Sequence, residues 1–295
     1  MTLRDADYIL LPPRVHVILD RVRFGPAGYP IDSPKERAFS YLREVGLDAM
    51  EYQAVRAIPK SEELLRWIRR EAEENDILLS LHAPYAINLC SKEKGEASAR
   101  RVVESAVAAD KMGALHVTFH PGYYGSMGRE EALRYAIKQL ERIREELIAL
   151  GVNVELGPET TGKPSQLGSL DEVLSMAEEV EGVVPTIDFA HIHAREGGVI
   201  RGREDYERVL GEIEGRLGHL DGLLIHFTEV EIAKAGVGER MHHDLGSGYG
   251  PPYEPLADII AELGIRWVII SESPSLERDS LKMKSIYDRI AGRRG

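Results

Sequence analysis

The stretch that decides the fold comprises ILLSLH at residues 77–82, KGEASARRVVESAVAADKM at residues 94–112 and LHVTFH at residues 115–120. The two short apolar runs are typical of buried strands, and the long middle run has the length and the mixture of charged and apolar residues of a helix. Gly113 follows the middle run, where glycine commonly ends a helix. This order predicts two parallel strands joined by a helical crossover.

The same alternation occurs about eight times along the 295 residues. The predicted strands cover residues 22–24, 49–52, 77–82, 115–120, 152–156, 184–188, 223–226 and 267–272. The predicted helices cover residues 33–44, 61–75, 94–112, 129–150, 169–179, 203–214, 255–263 and 276–290. Eight such units favour a closed (β/α)₈ TIM barrel over an open sheet, and no Gly-x-Gly-x-x-Gly of a dinucleotide site follows the first strand. We expect residues 22–295 to form one barrel domain, with residues 1–21 as an N-terminal extension that includes an extra strand at 15–19.

The composition limits the classes of protein that the chain can belong to. Hydrophobic residues make up 43% and the net charge is −12, which argues against a generally basic nucleic-acid binder, although bound divalent cations would cancel part of that charge. No apolar run approaches the ~18 residues that a membrane helix needs, and the first residues lack an apolar signal region. The single cysteine, Cys90, suits a reducing compartment. We expect a cytoplasmic, monomeric protein without membrane contact.

Potential metal ligands stand at the ends of six predicted strands. They are His82, His120, Glu159, Asp188, His226 and Glu272. The carboxyl ends of barrel strands meet at one mouth, so we expect these side chains to face one bowl. Burying them without a cation would be costly, and a ligand set without thiolate suits Zn²⁺, Mn²⁺ or Fe²⁺. One carboxylate between two ions could bridge them, a geometry that suits phosphoester chemistry.

The remaining polar residues are given other roles or left open. His191 follows Asp188 by three residues, and His193 would face the same side as His191 in an extended segment. His243 neighbours His242, so not every histidine can be a ligand. We assign the rest to packing, the surface or the barrel interior, namely His16, His116, His219, Glu155 and Cys90.

Several short motifs resemble the endonuclease IV family of apurinic/apyrimidinic endonucleases. The most specific is His82-Ala83-Pro84-Tyr85-Ala86-Ile87-Asn88-Leu89, which resembles the family's first signature. Five shorter segments follow in the family's order: Phe119-His120-Pro121-Gly122, Glu159-Thr160-Thr161-Gly162, Asp188-Phe189-Ala190-His191, Ile225-His226 and Ser271-Glu272-Ser273-Pro274. The resemblance extends from about residue 22 to about residue 290.

The resemblance implies a barrel with three zinc ions that cleaves DNA 5′ to abasic sites with a metal-activated water. It implies that His82 and His120 hold one ion, that Asp188, His226 and Glu272 hold a second, and that Glu159 bridges the two. It further implies that His191 and His242 serve a third ion and that Tyr85 lies near the DNA-facing groove. Glu159 and Glu272 would be catalytic, with Glu272 orienting the nucleophile as well as binding metal.

Three departures from the family pattern concern the third site and the DNA contacts. The family has Asp-Arg-His where this chain has Arg240-Met241-His242, so Arg240 replaces the aspartate and Glu239 is one position away. An Arg240 that points into the bowl would neutralise phosphate and bind substrate. The chain also lacks the family's Asn-Asp-Ser-Lys after His226, and its glutamate segment is about one residue shorter before Leu167-Gly168.

The sequence supports three functional hypotheses. The first is a hydrolase acting on double-stranded DNA with abasic sites, for which five cations in loops are candidate phosphate contacts: Arg56, Lys60, Lys163, Arg195 and Lys234. The second is a metal-dependent sugar isomerase or epimerase on the same barrel, which the acidic net charge favours and the number of histidines disfavours. The third is a non-catalytic metal-binding descendant, which six intact strand-end ligands disfavour.

Overall fold

Short strands alternate with helices along the computed structural model, which describes residues 19–294. The strands are β1 (Arg23–Pro26), β2 (Ala49–Gln53), β3 (Leu78–His82), β4 (His116–Phe119), β5 (Gly122–Tyr123), β6 (Glu155–Pro158), β7 (Gln166–Leu167), β8 (Thr186–Asp188), β9 (Leu224–Phe227), β10 (Glu229–Ile232), β11 (Glu239–His243) and β12 (Val268–Ser271). The helices are α1 (Ala38–Glu44), α2 (Glu62–Glu74), α3 (Gly95–Met112), α4 (Arg129–Ala149), α5 (Leu170–Glu179), α6 (Phe189–Arg195), α7 (Arg203–Leu217), α8 (Tyr253–Leu263) and α9 (Glu277–Ala291).

Eight of the strands form a closed parallel barrel. Four of them pair in the order β1-β12-β9-β8 and four in the order β2-β3-β4-β6. Parallel bridges from Ala27 to Glu51 and from Glu159 to Thr186 join the two sheets at both seams. The predicted (β/α)₈ TIM barrel is therefore confirmed. The predicted extra strand at 15–19 lies outside the described residues except for Leu19, which is buried.

Helix starts follow the local capping chemistry, with one difference from the prediction. The side chains of Ser61 and Ser169 cap α2 and α5, and Ser169 forms a capping box with Glu172. The first helix, predicted to begin at Ser33, instead begins as a 3₁₀ turn at Lys35–Arg37 and becomes α-helical at Ala38. Pro34 precedes this turn in an extended conformation and the side chain of Ser33 caps nothing, because its hydroxyl donates to the Pro34 carbonyl.

Side chains along each barrel strand alternate between two environments. Leu79 and Leu81 of β3 belong to the large apolar core that includes the helices, whereas Leu78 packs with a small apolar cluster around Val268. Ser80 and His82 share the inward face of β3 with Leu78, because successive strand residues point to opposite faces. The barrel interior is therefore apolar at its amino-terminal end and polar towards its mouth.

Gly157 shows how closely the interior is packed. A Cβ atom at this position would lie 1.9 Å from Nε2 of His116 and 2.6 Å from Oγ1 of Thr186. The ring of His116 crosses the barrel here and lies 2.8 Å from that threonine hydroxyl. Only glycine leaves space for this contact, so Gly157 is required by the polar packing of the interior.

Two small antiparallel strand pairs and one short helix lie at the mouth of the barrel. The antiparallel pair of β5 and β7 links the segments after β4 and β6, and the β10–β11 hairpin follows β9. The short helix α6 begins directly after β8, where Asp188 caps it by accepting the backbone N–H of His191 at 2.7 Å. These elements carry side chains over the bowl that the barrel strands alone could not supply. No described helix combines the length and apolar character needed to cross a membrane.

Candidate metal centre

Five histidines and five carboxylates converge at the mouth of the barrel. They are His82, His120, His191, His226, His242, Glu51, Glu159, Asp188, Glu239 and Glu272. Eight of them are the ligands expected from the sequence, and the structure brings all eight together. Glu51 and Glu239 complete the set; Glu51 was not expected, and Glu239 was noted only for lying one position from the missing aspartate. Their nitrogen and oxygen atoms form overlapping groups whose members lie within 4.8 Å of one another.

The first group consists of His82, His120 and Glu159. Oε2 of Glu159 lies 3.3 Å from Nε2 of His82 and 3.0 Å from Nε2 of His120. Two ligands bound to one tetrahedral zinc ion at about 2.0–2.2 Å are about 3.3–3.6 Å apart. The observed separations are close to this value, so one divalent ion could bind all three side chains. The ring of Tyr85, which is 55% exposed, packs against both histidines from the rim.

The second group surrounds the other oxygen of Glu159. Oε1 of Glu159 lies 3.0 Å from Nδ1 of His226, and Oε1 of Glu272 lies 3.4 Å from the same nitrogen. Asp188, fully buried, completes a group with Glu159 and Glu272. Because its two oxygens face different groups, Glu159 is suited to bridge two ions.

The third group consists of His191, Glu239 and His242. The carboxylate of Glu239 lies 3.5 Å from Nε2 of His191 through Oε2 and 3.6 Å from Nε2 of His242 through Oε1. These separations also match two ligands of one tetrahedral zinc ion, which are about 3.3–3.6 Å apart. His191 also belongs to the group of Glu159, Asp188 and Glu272. The third group is therefore adjacent to the second.

A β-bulge brings Glu239 into this group. In the β10–β11 hairpin, Glu231 pairs with Met241 and the next residue, Ile232, pairs with Glu239, so Arg240 is the extra residue. In a regular strand, residues three apart, such as Glu239 and His242, would point to opposite faces. The bulge cancels this one-residue mismatch, so both side chains face the bowl.

Arg240 requires a correction to the sequence interpretation. The arginine does not point into the bowl, because the bulge turns it outward, where half of its side chain is exposed and its guanidinium pairs with Glu231. The structure therefore does not support Arg240 as a substitute for an ion at the third site. The carboxylate of this group comes instead from Glu239, one residue earlier in the chain.

Hydrogen bonds to backbone carbonyls orient three of the histidine rings. Nδ1 of His82 lies 2.8 Å from the Ala83 carbonyl, and Nδ1 of His191 lies 2.8 Å from that of Thr160. Nδ1 of His242 lies 3.3 Å from the carbonyl of Glu272. A carbonyl only accepts, so each Nδ1–H donates, and each Nε2 faces a carboxylate, where a cation bound between them would use its lone pair. This is the arrangement that metal-binding histidines use.

Unsatisfied buried atoms indicate that cations complete the centre. Six buried side-chain atoms of the described residues make no hydrogen bond, and three of them lie in the centre: Oε2 of Glu159, Oδ2 of Asp188 and Nε2 of His242. Leaving such atoms without a partner costs about 1–3 kcal/mol each, and more for charged groups. Each of the three atoms belongs to one of the ligand groups. The residues present therefore fit divalent ions.

The ionisation of the ligands reflects the same crowding. Burial raises the pKa of Asp188 to about 6; the neighbouring His191 partly opposes this shift, and the negative charge of Glu272 adds to it. Burial alone would lower the pKa of His82, but the neighbouring carboxylates, above all Glu159, raise it to about 9. Burial would raise the pKa of Glu159, yet the surrounding imidazoles, first His120, hold it well below its usual value. The protein groups alone thus favour negative carboxylates beside positive imidazoles, and a bound cation would replace those protons.

Two other expected residues have structural roles. The segment after Asp188 is helical, not extended, so His193 points away from His191, and its Nδ1 accepts the backbone N–H of Ile200 at 3.1 Å. Arg195 is almost buried and donates to the carbonyls of Thr161, Lys163 and Gln166, so it is not a loop cation available to DNA.

Cys90 and the remaining interior polar residues lie where the sequence interpretation put them. Cys90 is buried, and burial raises the pKa of its thiol to about 12, which leaves it protonated and unreactive. Nδ1 of His116 lies 3.3 Å from Oε2 of Glu155 inside the barrel. His16 lies outside the described residues.

Glu51 escaped the sequence interpretation because it lies inside a strand instead of at its end. The signal was present, since a glutamate in the apolar run Ala49-Met50-Glu51-Tyr52 at an inward position is unusual. The position of Glu239 in the bowl could not be predicted, because a bulge cannot be recognised from sequence spacing alone.

Together the fold and the site define a (β/α)₈ barrel whose mouth could hold several divalent ions. Comparison with known families agrees: the chain belongs to the xylose isomerase-like TIM barrel family, whose model matches residues 39–287.

Two relatives illustrate the range of sequence similarity. The chain is 35% identical over 273 residues to an uncharacterized protein of Methanocaldococcus jannaschii. This match covers 90% of this chain and 97% of that protein. It is 31% identical over 176 residues to a probable endonuclease 4 of Aquifex aeolicus. This match covers 57% of this chain and 61% of that protein. The second match therefore spans less than two thirds of the relative's length.

Solved structures share the fold across different activities. Endonuclease IV from Thermus thermophilus superposes with a TM-score of 0.66 at 20% identity, covering 88% of this chain and 96% of the other. A D-tagatose 3-epimerase-like protein superposes with the same TM-score of 0.66 at 18% identity, covering 87% and 94%. At such identities the likeness concerns the fold, so function depends on the site.

Proposed function

We propose that the protein is a metal-dependent phosphodiesterase that cleaves DNA 5′ to abasic sites. The observation that carries the proposal is the set of four overlapping ligand groups, which share Glu159, His191 and Glu272 and together offer ligands for three ions. A sugar isomerase needs one or two ions, whereas this mouth offers ligands for three. The partial similarity to a probable endonuclease 4 supports the same assignment.

Each group of side chains has a distinct task in this proposal. His82 and His120 would hold one ion, Asp188, His226 and Glu272 a second, and Glu159 would bridge them. The third ion would be held by His191, Glu239 and His242, at the separations described above. We propose zinc, since the ligands are imidazoles and carboxylates; Mn²⁺ and Fe²⁺ suit the same set. When bound, such ions activate a water and neutralise the charge that develops on phosphate oxygens.

The chain's own residues supply the remaining functions. Glu272 is 12% exposed at its side chain, so one of its oxygens can reach a water in the bowl and orient it towards phosphorus. The exposed ring of Tyr85 stands over the first group and offers a flat apolar surface to a base or sugar that enters the mouth.

Unpaired cations on the mouth side would attract a polyanion. Arg56 and Lys60 are exposed in the segment after β2, Lys163 in the segment after β6, and Lys234 in the β10–β11 hairpin. None of these four has an ion-pair partner within residues 19–294. Loops that follow barrel strands surround the mouth, so these charges can contact phosphates on either side of a cleavage site.

The second candidate is a metal-dependent isomerase or epimerase acting on a sugar. The net charge of −12 favours it, because an acidic protein repels DNA outside its basic rim. The buried group of Glu159, Asp188 and Glu272 would serve a single ion in such an enzyme.

One assay separates the two candidates. The protein, reconstituted with zinc, manganese or iron, is incubated with a duplex that carries one tetrahydrofuran abasic analogue and, separately, with ketohexoses and ketopentoses. We expect nicking 5′ to the analogue, a loss of at least about 100-fold in His120→Ala, and normal nicking in His219→Ala, a histidine outside the mouth. Absence of nicking with all three metals, together with sugar interconversion, would replace the first candidate with the second.

A further inference from the structure

Glu51 lies inside the barrel, one inward position below the mouth, and is fully buried. It is an inward-facing residue of β2 and pairs in register with Ser80 of β3. A carboxylate at this depth needs donors around it, because an unpaired charge in such a site is costly. Its partners therefore indicate what it does.

Both oxygens of Glu51 are already occupied by hydrogen bonds. Oε1 accepts the side-chain amide of Gln53 at 2.8 Å. Oε2 accepts the hydroxyls of Ser80 at 3.1 Å and Thr118 at 3.2 Å, and it lies 3.1 Å from Nε2 of His226. Four donors saturate this carboxylate. These hydrogen bonds fix the orientation of the Glu51 carboxylate. Glu159 differs, because its Oε2 makes no hydrogen bond.

The ring of His226 is turned the opposite way from the rings of His82, His191 and His242. Those three rings present Nε2 to the bowl and donate Nδ1–H to a backbone carbonyl. His226 presents Nδ1 to the bowl, 3.0 Å from Oε1 of Glu159, and directs Nε2 at Glu51. Both nitrogens thus face carboxylates, which only accept. An ion bound in the bowl would replace the proton on Nδ1, and the proton on Nε2 would remain and be donated to Glu51.

We propose that Glu51 is a positioning residue that fixes His226 as the Nε2–H tautomer and directs its Nδ1 lone pair at a metal ion in the second group. The inference rests on the metal centre of the proposed function and is independent of the substrate. A hydrogen bond from the second nitrogen to a carboxylate fixes the ring orientation and raises the basicity of the metal-binding nitrogen, here Nδ1 of His226. Residues in this position tune metal affinity by about 10- to 100-fold.

The barrel contains a matched control pair. Nδ1 of His116 lies 3.3 Å from Oε2 of Glu155, but neither residue belongs to a ligand group. Glu51→Gln and Glu155→Gln therefore make the same chemical change beside a histidine inside the same barrel. Only the first touches a histidine that faces the bowl.

Metal binding tests the proposal without an activity assay. Chelator-competition titrations and metal analysis are made on the wild type, Glu51→Gln and Glu155→Gln, with Co²⁺ absorption as a spectroscopic readout of the ligand field. We expect Glu51→Gln to weaken one site by about 10- to 100-fold and to change the Co²⁺ spectrum. Glu155→Gln should match the wild type in both. Equal affinities and spectra in Glu51→Gln and the wild type would overturn the proposal, and so would an equal loss in Glu155→Gln.

A second measurement needs no substitution at Glu51. In zinc-loaded wild-type protein, ¹⁵N histidine NMR should show one metal-bound ring protonated at Nε2, and that signal should be missing in His226→Asn. Protonation of every metal-bound ring at Nδ1 would contradict the proposal. Loss of nicking activity would not affect either readout, so the failure of the proposed function and the failure of this inference are distinguishable.

Discussion

The third ligand group depends on Glu239, which reaches the bowl only through the bulge at Arg240. Replacing Glu239 with glutamine removes the only carboxylate of this group and leaves His191 and His242 as a pair of imidazoles. The side chain keeps its size, so the hairpin should stay folded. We expect the number of tightly bound zinc ions to fall from three to two per chain.

The size of the effect follows from the number of ligands. Zinc bound by about four protein ligands in small domains has an apparent binding free energy of about 10–16 kcal/mol, or roughly 2.5–4 kcal/mol for each ligand. Loss of one ligand should therefore weaken the third site by roughly 10²- to 10³-fold. Glu239 lies 3.5 Å from His191 and 3.6 Å from His242, and this group contains no second carboxylate that could replace it.

Metal analysis after dialysis against a weak chelator measures the change, with Glu231→Gln as the control. Glu231 lies on the outer face of the same hairpin, beside Arg240 and His243, and belongs to no ligand group. Deletion of Arg240 is the complementary variant. It converts the segment to Glu-Met-His, in which a regular strand directs glutamate and histidine to the same face, so the third ion should be retained.

Two results would refute this reasoning. If Glu239→Gln binds as much zinc as the wild type with the same affinity, Glu239 is not a ligand. If the Arg240 deletion loses an ion while the hairpin remains folded, the bulge does more than compensate for an inserted residue.

Three further predictions concern stability, each measured by urea unfolding. Gly157→Ala should cost about 3 kcal/mol or more, because its Cβ would lie 1.9 Å from Nε2 of His116; an unchanged midpoint would contradict the packing argument. Arg195→Met should cost about 2–4 kcal/mol, because it removes hydrogen bonds from a buried guanidinium to the segment after β6, and a loss below about 1 kcal/mol would count against this role. Burial would raise the pKa of Glu229, but N–H and O–H donors of residues 246–250 hold it below its usual 4.5. The stability that Glu229 contributes is therefore present above pH 4.5 and lost as the pH falls through its lowered folded-state pKa; Glu229→Gln should flatten this acid dependence, and an identical pH profile would exclude it.

The fold was predictable because its signal is repeated. Each unit of the barrel carries its own strand and helix, and an error at one boundary, such as the start of α1, leaves the other seven units intact. Six of the eight candidate ligands were predictable for a related reason. Strand ends are recognisable in sequence, and a parallel barrel brings all of them to one mouth. His191 and His242 do not end barrel strands, and only the family resemblance suggested them.

The remaining site residues depend on geometry that spacing does not encode. Arg195 resembles a free loop cation until the chain folds and its guanidinium is surrounded by carbonyls from the segment after β6. His193 resembles a second ligand until α6 forms, because a helix separates residues that an extended segment would align.

The sequence by itself determined the barrel and the face on which six strand-end candidate ligands meet, because strand periodicity and parallel topology follow from the local pattern of residues. Only the tertiary structure decided that Arg240 faces outward, that Glu239 faces the bowl in its place and that Glu51 forms a hydrogen bond with His226. The physical reason is that these three outcomes depend on the register between strands. A single bulge reverses the face of every residue beyond it, and the partner of a buried carboxylate lies 175 residues away in the chain.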